Sequence, residues 1–504
     1  MLECTRNTVA YLHQGLARRR EGDLAGAIEN YSKAIEIDPK LASAYNSRGR
    51  ARAKKGDFAG AIRDYNQAIE IDPKFANAYD NRGAARIKKG DLAGAIADFS
   101  KAIEIDPKYA IAYANRGVAR QRKGDLDGAI ADFSKAIEID PKYAIAYANR
   151  GVARHRKGDL DGAIQDYNQA IEIDPKYAMA YDSRGYARTA QGDFEGAIDD
   201  YSKAIEINPK YANAYANRGA ARMKKGDLAG AIADYNQAIE IDPKLASAYN
   251  NRGAARAKKG DLDGAIADLS KAIEIDPKYA NAYNNRGRAR AKKGDLDGAI
   301  QDYNQTIEID PKYANAYRNR GAARQRKGDL DGAIQDYNQA IEIDPKLASA
   351  YNNRGTARAK KGDLDGAIDD YSKAIEIDPK NARSYNLRGL ARYDRGNRQG
   401  AIEDYNKAIE IDPKNANAYL SRGTVRQRKG DLDGAIEDYN RAIRRNPRHA
   451  VAYAKRGTVH AINKNYPAAI ANFQKALEIA PDNWPYRKQI EKFLSIARKE
   501  LAGN

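Results

Sequence analysis

A proline returns every 34 residues, at Pro39, Pro73, Pro107, Pro141 and onward without a slip to Pro481. That spacing makes the chain fourteen copies of one short unit, and length alone then says little about domain count. A fixed period of about 20–50 residues marks stacked repeats, each too small to bury its own apolar face. Neighbouring copies are close to verbatim: residues 109–142 read YAIAYANRGVARQRKGDLDGAIADFSKAIEIDPK, and 143–176 differ mainly at His155, Gln165, Tyr167, Asn168 and Gln169.

The copy that starts at Ala76 reads ANAYDNRGAARIKKGDLAGAIADFSKAIEIDPKY. Its first dozen residues are rich in Ala, Tyr and Arg, and Gly90-Asp91 interrupts them. Gly closes a helix in the left-handed conformation and Asp opens the next one. The second run, Leu92 to Ile105, stops at Asp106-Pro107, because Pro cannot continue a helix and biases its predecessor toward an extended shape. Each copy is thus predicted to be a hairpin of two helices, each about 20 Å long. At about 100° per residue, Ala95, Ile96, Phe99, Ala102 and Ile103 share one side of the second helix, while Tyr79, Arg82, Gly83 and Arg86 form a stripe on the first. Gly83 leaves room for a neighbouring helix. The fold class that follows is an all-α solenoid of helix–turn–helix repeats.

The 504 residues are 31% charged and carry a formal net charge of +18. Divided among repeats, that charge becomes a small surplus. Residues 212–245 hold five basic side chains (Arg218, Arg222, Lys224, Lys225, Lys244) and four acidic ones (Asp227, Asp234, Glu240, Asp242). No block of like charge stands out as a tail. A single cysteine, Cys4, excludes an internal disulfide framework and a cysteine-rich metal site. The N-terminal stretch MLECTRNTVAYLHQGLARRR lacks a signal-peptide layout, and no window approaches the roughly 18 apolar residues of a membrane span. A cytoplasmic setting is the default expectation.

Catalytic chemistry has no foothold in these residues. His13, His155, His449 and His460 sit in four different repeats without ligand spacing. Glycines recur singly, never as a phosphate cradle. Carboxylates such as Asp91 and Asp106 return in every copy, as caps and turns require. The glycosylation patterns at Asn30 and Asn304 fall within second helices. No enzyme activity, cofactor or metal is expected.

The spacing of Tyr79, Gly83, Ala95, Phe99, Ala102 and Pro107 within 34 residues resembles the tetratricopeptide repeat. The resemblance covers residues 8–483, with repeats starting at 8, 42, 76, 110, 144, 178, 212, 246, 280, 314, 348, 382, 416 and 450. It implies a right-handed superhelix whose first helices line a concave groove, where most members bind proteins or peptides. Residues 1–7 would be a lead-in and 484–504 a C-terminal capping helix, with Ile490, Phe493, Leu494, Ala497 and Leu501 on one face and Lys488, Lys492 and Lys499 on the other. No such cap precedes the first repeat, as if the chain had been shortened there. This sequence departs from the family in repeating Arg where many members have an aliphatic and an aromatic residue (Arg48 and Arg52, Arg116 and Arg120, Arg354 and Arg358). The last repeat drifts furthest, with Lys464-Asn465 for Gly-Asp, His460 for the second Arg, and Pro467 early in the second helix.

Differences among the copies locate a candidate working surface. Second positions read Ser43, Asn77, Ile111, Met179, Asn213 and Arg383; fifth positions Asp80, Ala114, Asp182, Asn250 and Arg318; ninth positions Arg50, Ala84, Val118, Tyr186 and Thr356; twelfth positions Ile87, Gln121, His155, Met223 and Tyr393. Spacings of three, four and three place them on one face, about 150° around the first helix from the Tyr/Arg/Gly stripe. The resemblance makes that face the groove. Asn77, Asp80, Ile111, Met179, Asp182, Tyr186, Asn213, Asn250 and Arg318 are then the candidate specificity residues. Beside them runs a nearly constant amide: Asn81, Asn115, Asn149, Asn217, Asn251, Asn285, Asn319 and Asn353, broken by Ser183. An Asn side chain offers the donor and the acceptor that a peptide backbone needs, so the series is a candidate ladder for an extended peptide. The other reading is that these amides solvate the groove or tie adjacent helices together.

Arg82, Arg86 and Asp98 fall on packing stripes, as do Arg116, Arg120, Asp132 and Arg218, Arg222, Asp234. Unpaired Arg would be costly there, so internal ion pairs are predicted. The basic pairs that end first helices (Lys54-Lys55, Lys88-Lys89, Arg122-Lys123, Lys258-Lys259) suit a helix C-terminus, and also a ridge that attracts polyanions. Members of the family that hold chaperone C-terminal carboxylates need Lys and Asn at positions five and nine of one repeat, with Lys and Arg at positions two and six two repeats on. Asp80 with Ala84, or Asn250 with Ala254, does not supply that set, which argues against chaperone tails as partners. Three functions stay open: a non-catalytic scaffold for extended peptides, a basic solenoid for nucleic acid or another polyanion, and a self-associating architectural spacer.

Overall fold

The computed structural model describes residues 2–503, with side chains from Asn7 onward, so Cys4 and most of the expected lead-in lie outside the described side chains. The described residues form 29 helices, α1 to α29 in chain order, and contain no strand. Helix α1 spans Leu2–Glu21 and α2 spans Leu24–Ile37; from there each repeat supplies an odd-numbered first helix and an even-numbered second one. The third repeat is α5 (Ala76–Lys89) and α6 (Leu92–Ile105), and the fourth is α7 (Ala110–Lys123) and α8 (Leu126–Ile139). The chain divides into two compact units, residues 1–255 and 256–504.

Local chemistry sets each hairpin. Gly90 sits at φ +84°, a conformation that costs glycine no Cβ clash. The next residue, Asp91, caps α6 by accepting the Gly94 N–H at 2.8 Å, which satisfies one of the orphan donors of a helix start. At the other end Asp106 is extended (φ −127°, ψ 92°), as the residue before a proline prefers. Its side chain accepts the Lys108 N–H at 3.0 Å. In the last repeat Lys464 takes φ +56° in place of glycine. Pro467 lies in the first turn of α28 (Tyr466–Ile479), where its missing N–H has no helical partner to lose.

The core crosses repeat boundaries. Ala95 and Phe99 of α6 are fully buried and pack with Ala119 of the following repeat. Burying a Phe of this kind is worth about 2–3 kcal/mol. The first helix lies so close that a Cβ on Gly83 would stand 2.8 Å from the Phe99 ring. At the C-terminus α29 (Arg487–Ala502) covers the last repeat, with Ile490, Leu494 and Ala497 buried against Phe473. Leu501, on the same stripe, falls in the last turn of the helix and is 44% exposed.

Candidate functional site

The second and ninth positions of the first helices reach solvent. Ile111 of α7 is 48% exposed, Ile145 of α9 (Ala144–Lys157) 50%, and Met179 and Tyr186 of α11 (Ala178–Gln191) 57% and 56%. Between them His155 and Tyr186 meet edge to face, with ring centroids 5.2 Å apart, and burial lowers the His155 pKa. Asn77 and Asn213 are exposed as well, and Asn77 accepts a hydrogen bond from the Tyr109 hydroxyl at 2.6 Å.

Fifth positions behave differently. Asp80 and Asn250 are buried, while Asp182 and Arg318 are half-buried. Phase on one helix places them beside the exposed residues, but the first helix of the next repeat covers them. Burial raises the Asp80 carboxyl above its ordinary pKa, with the hydrogen bond from Asn115 pulling it down. Asp182 is raised in the same way, opposed by Asn217 and Tyr211.

The constant amides are what meets these fifth positions. Asn81 donates to Asn46 Oδ1 at 3.0 Å, Asn115 to Asp80 at 2.9 Å, Asn217 to Asp182 at 3.0 Å and Asn319 to Asn284 at 2.9 Å. Each bond joins one first helix to the previous one, 35 residues earlier. Asn251 instead accepts from its neighbour Asn250 at 3.0 Å, and Asn285 is also engaged. Asn149 and Asn353 stand opposite Ala114 and Arg318, which accept no such bond, and no inter-repeat partner holds them among the described residues. An amide has two donors and one acceptor oxygen, so a tie to the previous repeat uses one donor and leaves the carbonyl.

The arginine stripe lies between the two helices of each hairpin. Arg82 Nη2 is 2.5 Å from Asp98 Oδ1, Arg86 Nη1 is 2.8 Å from Asp98 Oδ2, and the Asp98 side chain is buried. Arg116 and Arg120 hold Asp132 at 2.7 and 3.0 Å, and Arg218 and Arg222 hold Asp234 at 2.7 and 2.8 Å. The first guanidinium also stacks over a tyrosine, Arg116 over Tyr113 at 5.5 Å. It reaches back as well: Arg116 Nη1 donates to Ser100 Oγ of the preceding repeat at 3.1 Å. That acceptor, 16 residues upstream, has no signature in the phase of a single hairpin. Both terminal repeats change the set together. The first has Gln14, Arg18 and Asn30, and the last has Arg456, His460 and Asn472, so one basic residue and the acid are lost as a pair.

The basic ends of the first helices are partly neutralised. Lys157 bridges to Asp127, Lys293 to Asp263, Lys327 to Asp297 and Lys361 to Asp331, each thirty residues back. Such exposed pairs contribute about 0–1 kcal/mol, yet they interrupt a continuous basic ridge. Among the described residues no group of three or more His, Cys, Asp or Glu could hold a metal ion, and no helix is long and apolar enough to cross a membrane.

Known families and structures match this architecture. A model described as TPR repeat matches residues 15–56, 49–90, 84–124, 122–158, 185–226, 221–260, 255–294, 287–328, 326–362, 355–396 and 389–430. Models described as tetratricopeptide repeat match 144–177 and 420–483. The crystal structure of the APC/C hetero-tetramer Cut9–Hcn1 is similar, with TM-score 0.54 and 16% identity over 97% of this chain and 96% of that one, and shares the fold. The MamA protein aligns at 30% identity over 34% of this chain and 95% of its own, with TM-score 0.31. Yeast Tom70 aligns at 17% identity over 92% and 97%, with TM-score 0.40. No curated protein matches the chain.

Proposed function

The chain belongs to the tetratricopeptide repeat family, and we propose that it is a non-catalytic scaffold that binds an extended peptide segment of a partner protein along its first helices. The observation that carries this reading is the run of exposed apolar side chains in the fourth to sixth repeats: Ile111, Ile145, Met179 and Tyr186. Contiguous apolar groups left in water mark an interaction surface. Ser43 and Asn77 before this run and Asn213 after it are polar at the same second position, so the strip is local.

Asn149 lies within the strip, beside the small buried Ala114 and Ala148. Its amide is not spent on the preceding helix, so it offers a donor and an acceptor to a peptide backbone while the apolar residues take side chains. Asn81, Asn115, Asn217 and Asn319 contribute at most their remaining carbonyl and one N–H. Selection from a displayed random-peptide library, followed by titration of the recovered peptides, tests the reading. Ile111→Ser with Ile145→Ser and Met179→Ser is expected to weaken them about ten-fold, or about 1.4 kcal/mol, without lowering the melting temperature. Undiminished binding by this triple variant sinks the proposal, as does a library that yields no binder.

A further inference from the structure

Across adjacent first helices, the ninth position of one repeat and the fifth of the next share an environment. In the second and third repeats these are Arg50 and Asp80, and both charges act on the phenols of Tyr65 and Tyr109. Arginine occupies the ninth position in one other repeat, at Arg288 of α17 (Ala280–Lys293). There the fifth position of the following repeat holds Arg318 of α19 (Ala314–Lys327) instead of an acid.

Arg318 is half-buried, and its Nε is shut away from solvent with no hydrogen-bond acceptor. Among the described residues no carboxylate forms an ion pair with Arg318 or with Arg288. Burial and the charge of Arg288 both disfavour the Arg318 cation, and the buried Tyr303 phenol feels both guanidiniums. The contrast lies two residues away, where Arg320 is held by Asp336 at 2.6 Å. Nothing in the fold repays this site for keeping two like charges together with one of them partly desolvated.

We propose that Arg288 and Arg318 form an anion site that receives a carboxylate or phosphate side chain of a bound peptide. A guanidinium presents a planar fork that matches either oxyanion in a bidentate way. An anion between the two arginines relieves their repulsion and accepts from the terminal N–H groups of Arg318, leaving the buried Nε as a sign of how poorly the fold itself serves this guanidinium. Arg288 is exposed and opens the site to solvent. The surroundings favour a peptide over a nucleic acid. Tyr303 and Tyr337 are buried and present no ring face for base stacking, whereas Asn281 and Asn315 at the adjoining second positions are exposed amides. The inference rests on the peptide-scaffold reading, but it uses residues in the other compact unit from the apolar strip.

The test is fluorescence anisotropy at physiological salt with short labelled peptides of alternating Gly-Glu, Gly-phosphoserine and Gly-Gln, and with oligouridine of equal length. The proteins are the full chain, Arg288→Gln/Arg318→Gln, and Lys40→Gln/Lys74→Gln, which removes the same net charge from exposed linkers. At least one anionic peptide is expected to bind about ten-fold more tightly than the Gly-Gln peptide, and to lose about that factor in the arginine variant alone. Preference between glutamate and phosphoserine identifies the source of the anion. Equal losses in both variants, no advantage of the anionic peptides, or tighter binding of oligouridine overturns the site. The arginine variant is expected to keep or raise the melting temperature, because it removes a repulsion. If library peptides bind through Ile145 while the acidic peptides do not, the anion site alone falls. If the acidic peptides bind through the arginines and no library peptide needs Ile145, the apolar reading alone falls.

Discussion

Asn115 donates a side-chain N–H to Asp80 Oδ1 at 2.9 Å across the boundary between two repeats. The acceptor is a buried carboxyl whose pKa burial has raised. In the folded chain Asp80 therefore takes up its proton first as pH falls. Its contribution to stability is full below the ordinary carboxylate pKa and is lost as pH rises through the raised value. Asp80→Asn keeps an acceptor for Asn115, as Asn46 and Asn284 do elsewhere. The variant is expected to gain about 1 kcal/mol at neutral pH and to lose that part of the pH slope, as read by melting across a pH series.

Two amides at the same position in their repeats should respond in opposite ways. Asn217 is tied to Asp182 at 3.0 Å, so Asn217→Ala removes a bond and leaves a half-buried carboxylate with the Tyr211 hydroxyl at 3.3 Å as its remaining donor, at a cost of about 1 kcal/mol. Asn149 faces Ala114 and holds no such tie, so Asn149→Ala is expected to leave melting unchanged and to weaken library peptides. Loss of stability in both variants would show that Asn149 is structural too.

Asp132 neutralises two arginines at once. Asp132→Ala leaves Arg116 without its carboxylate and Arg120 with only the Gly128 carbonyl at 3.3 Å and the exposed Asp125 at 3.7 Å, and removal of one partner from a buried pair costs about 3–5 kcal/mol. Hydrogen exchange should locate the damage in α7, α8 and their immediate neighbours, since each repeat contacts only the next.

Gly117→Ala would place a Cβ 2.8 Å from the Phe133 ring. The ring is fully buried and cannot withdraw, so overpacking of about 1–3 kcal/mol is expected. Chemical denaturation of Val118→Ala, at the adjoining half-buried position, supplies the control, since that substitution adds no volume at the contact.

Peptide binding at the apolar strip should change little with added salt, because Ile111, Ile145 and Met179 release no counterions. A polyanion ligand would instead weaken steeply, by orders of magnitude over the same range. A steep salt slope for the library peptides would remove the strip as the main contact.

The period, the helix ends and the arginine stripe were all readable in the residues, because each depends on one hairpin: Gly90 for the stop, Asp91 for the cap, and Arg82 facing Asp98 by phase. What lies between hairpins was harder to read. Arithmetic on α5 alone groups Asp80 with exposed Asn77, yet α7 covers Asp80 and leaves Asn77 open. The same limit hid the division within the asparagine series. Asn115 and Asn149 are alike in position and differ only through Asp80 and Ala114, 35 residues upstream of each. The joint loss of acid and base in the terminal repeats, at Asn30 with Gln14 and at Asn472 with His460, was plain in the sequence and needed only to be compared as a set.

Arg116 takes one acceptor from the repeat before it and another from its own. Interior copies carry the same pairing of Ser or Asn with Asp, so excising or duplicating one whole period restores an equivalent joint. Chain length is therefore a quantity that recombination can vary without inventing a new contact, and the span available to a ligand can be lengthened or trimmed in fixed increments. The two ends are the exception, since neither Asn30 nor Asn472 balances a second guanidinium, and growth by copying belongs to the middle of the array.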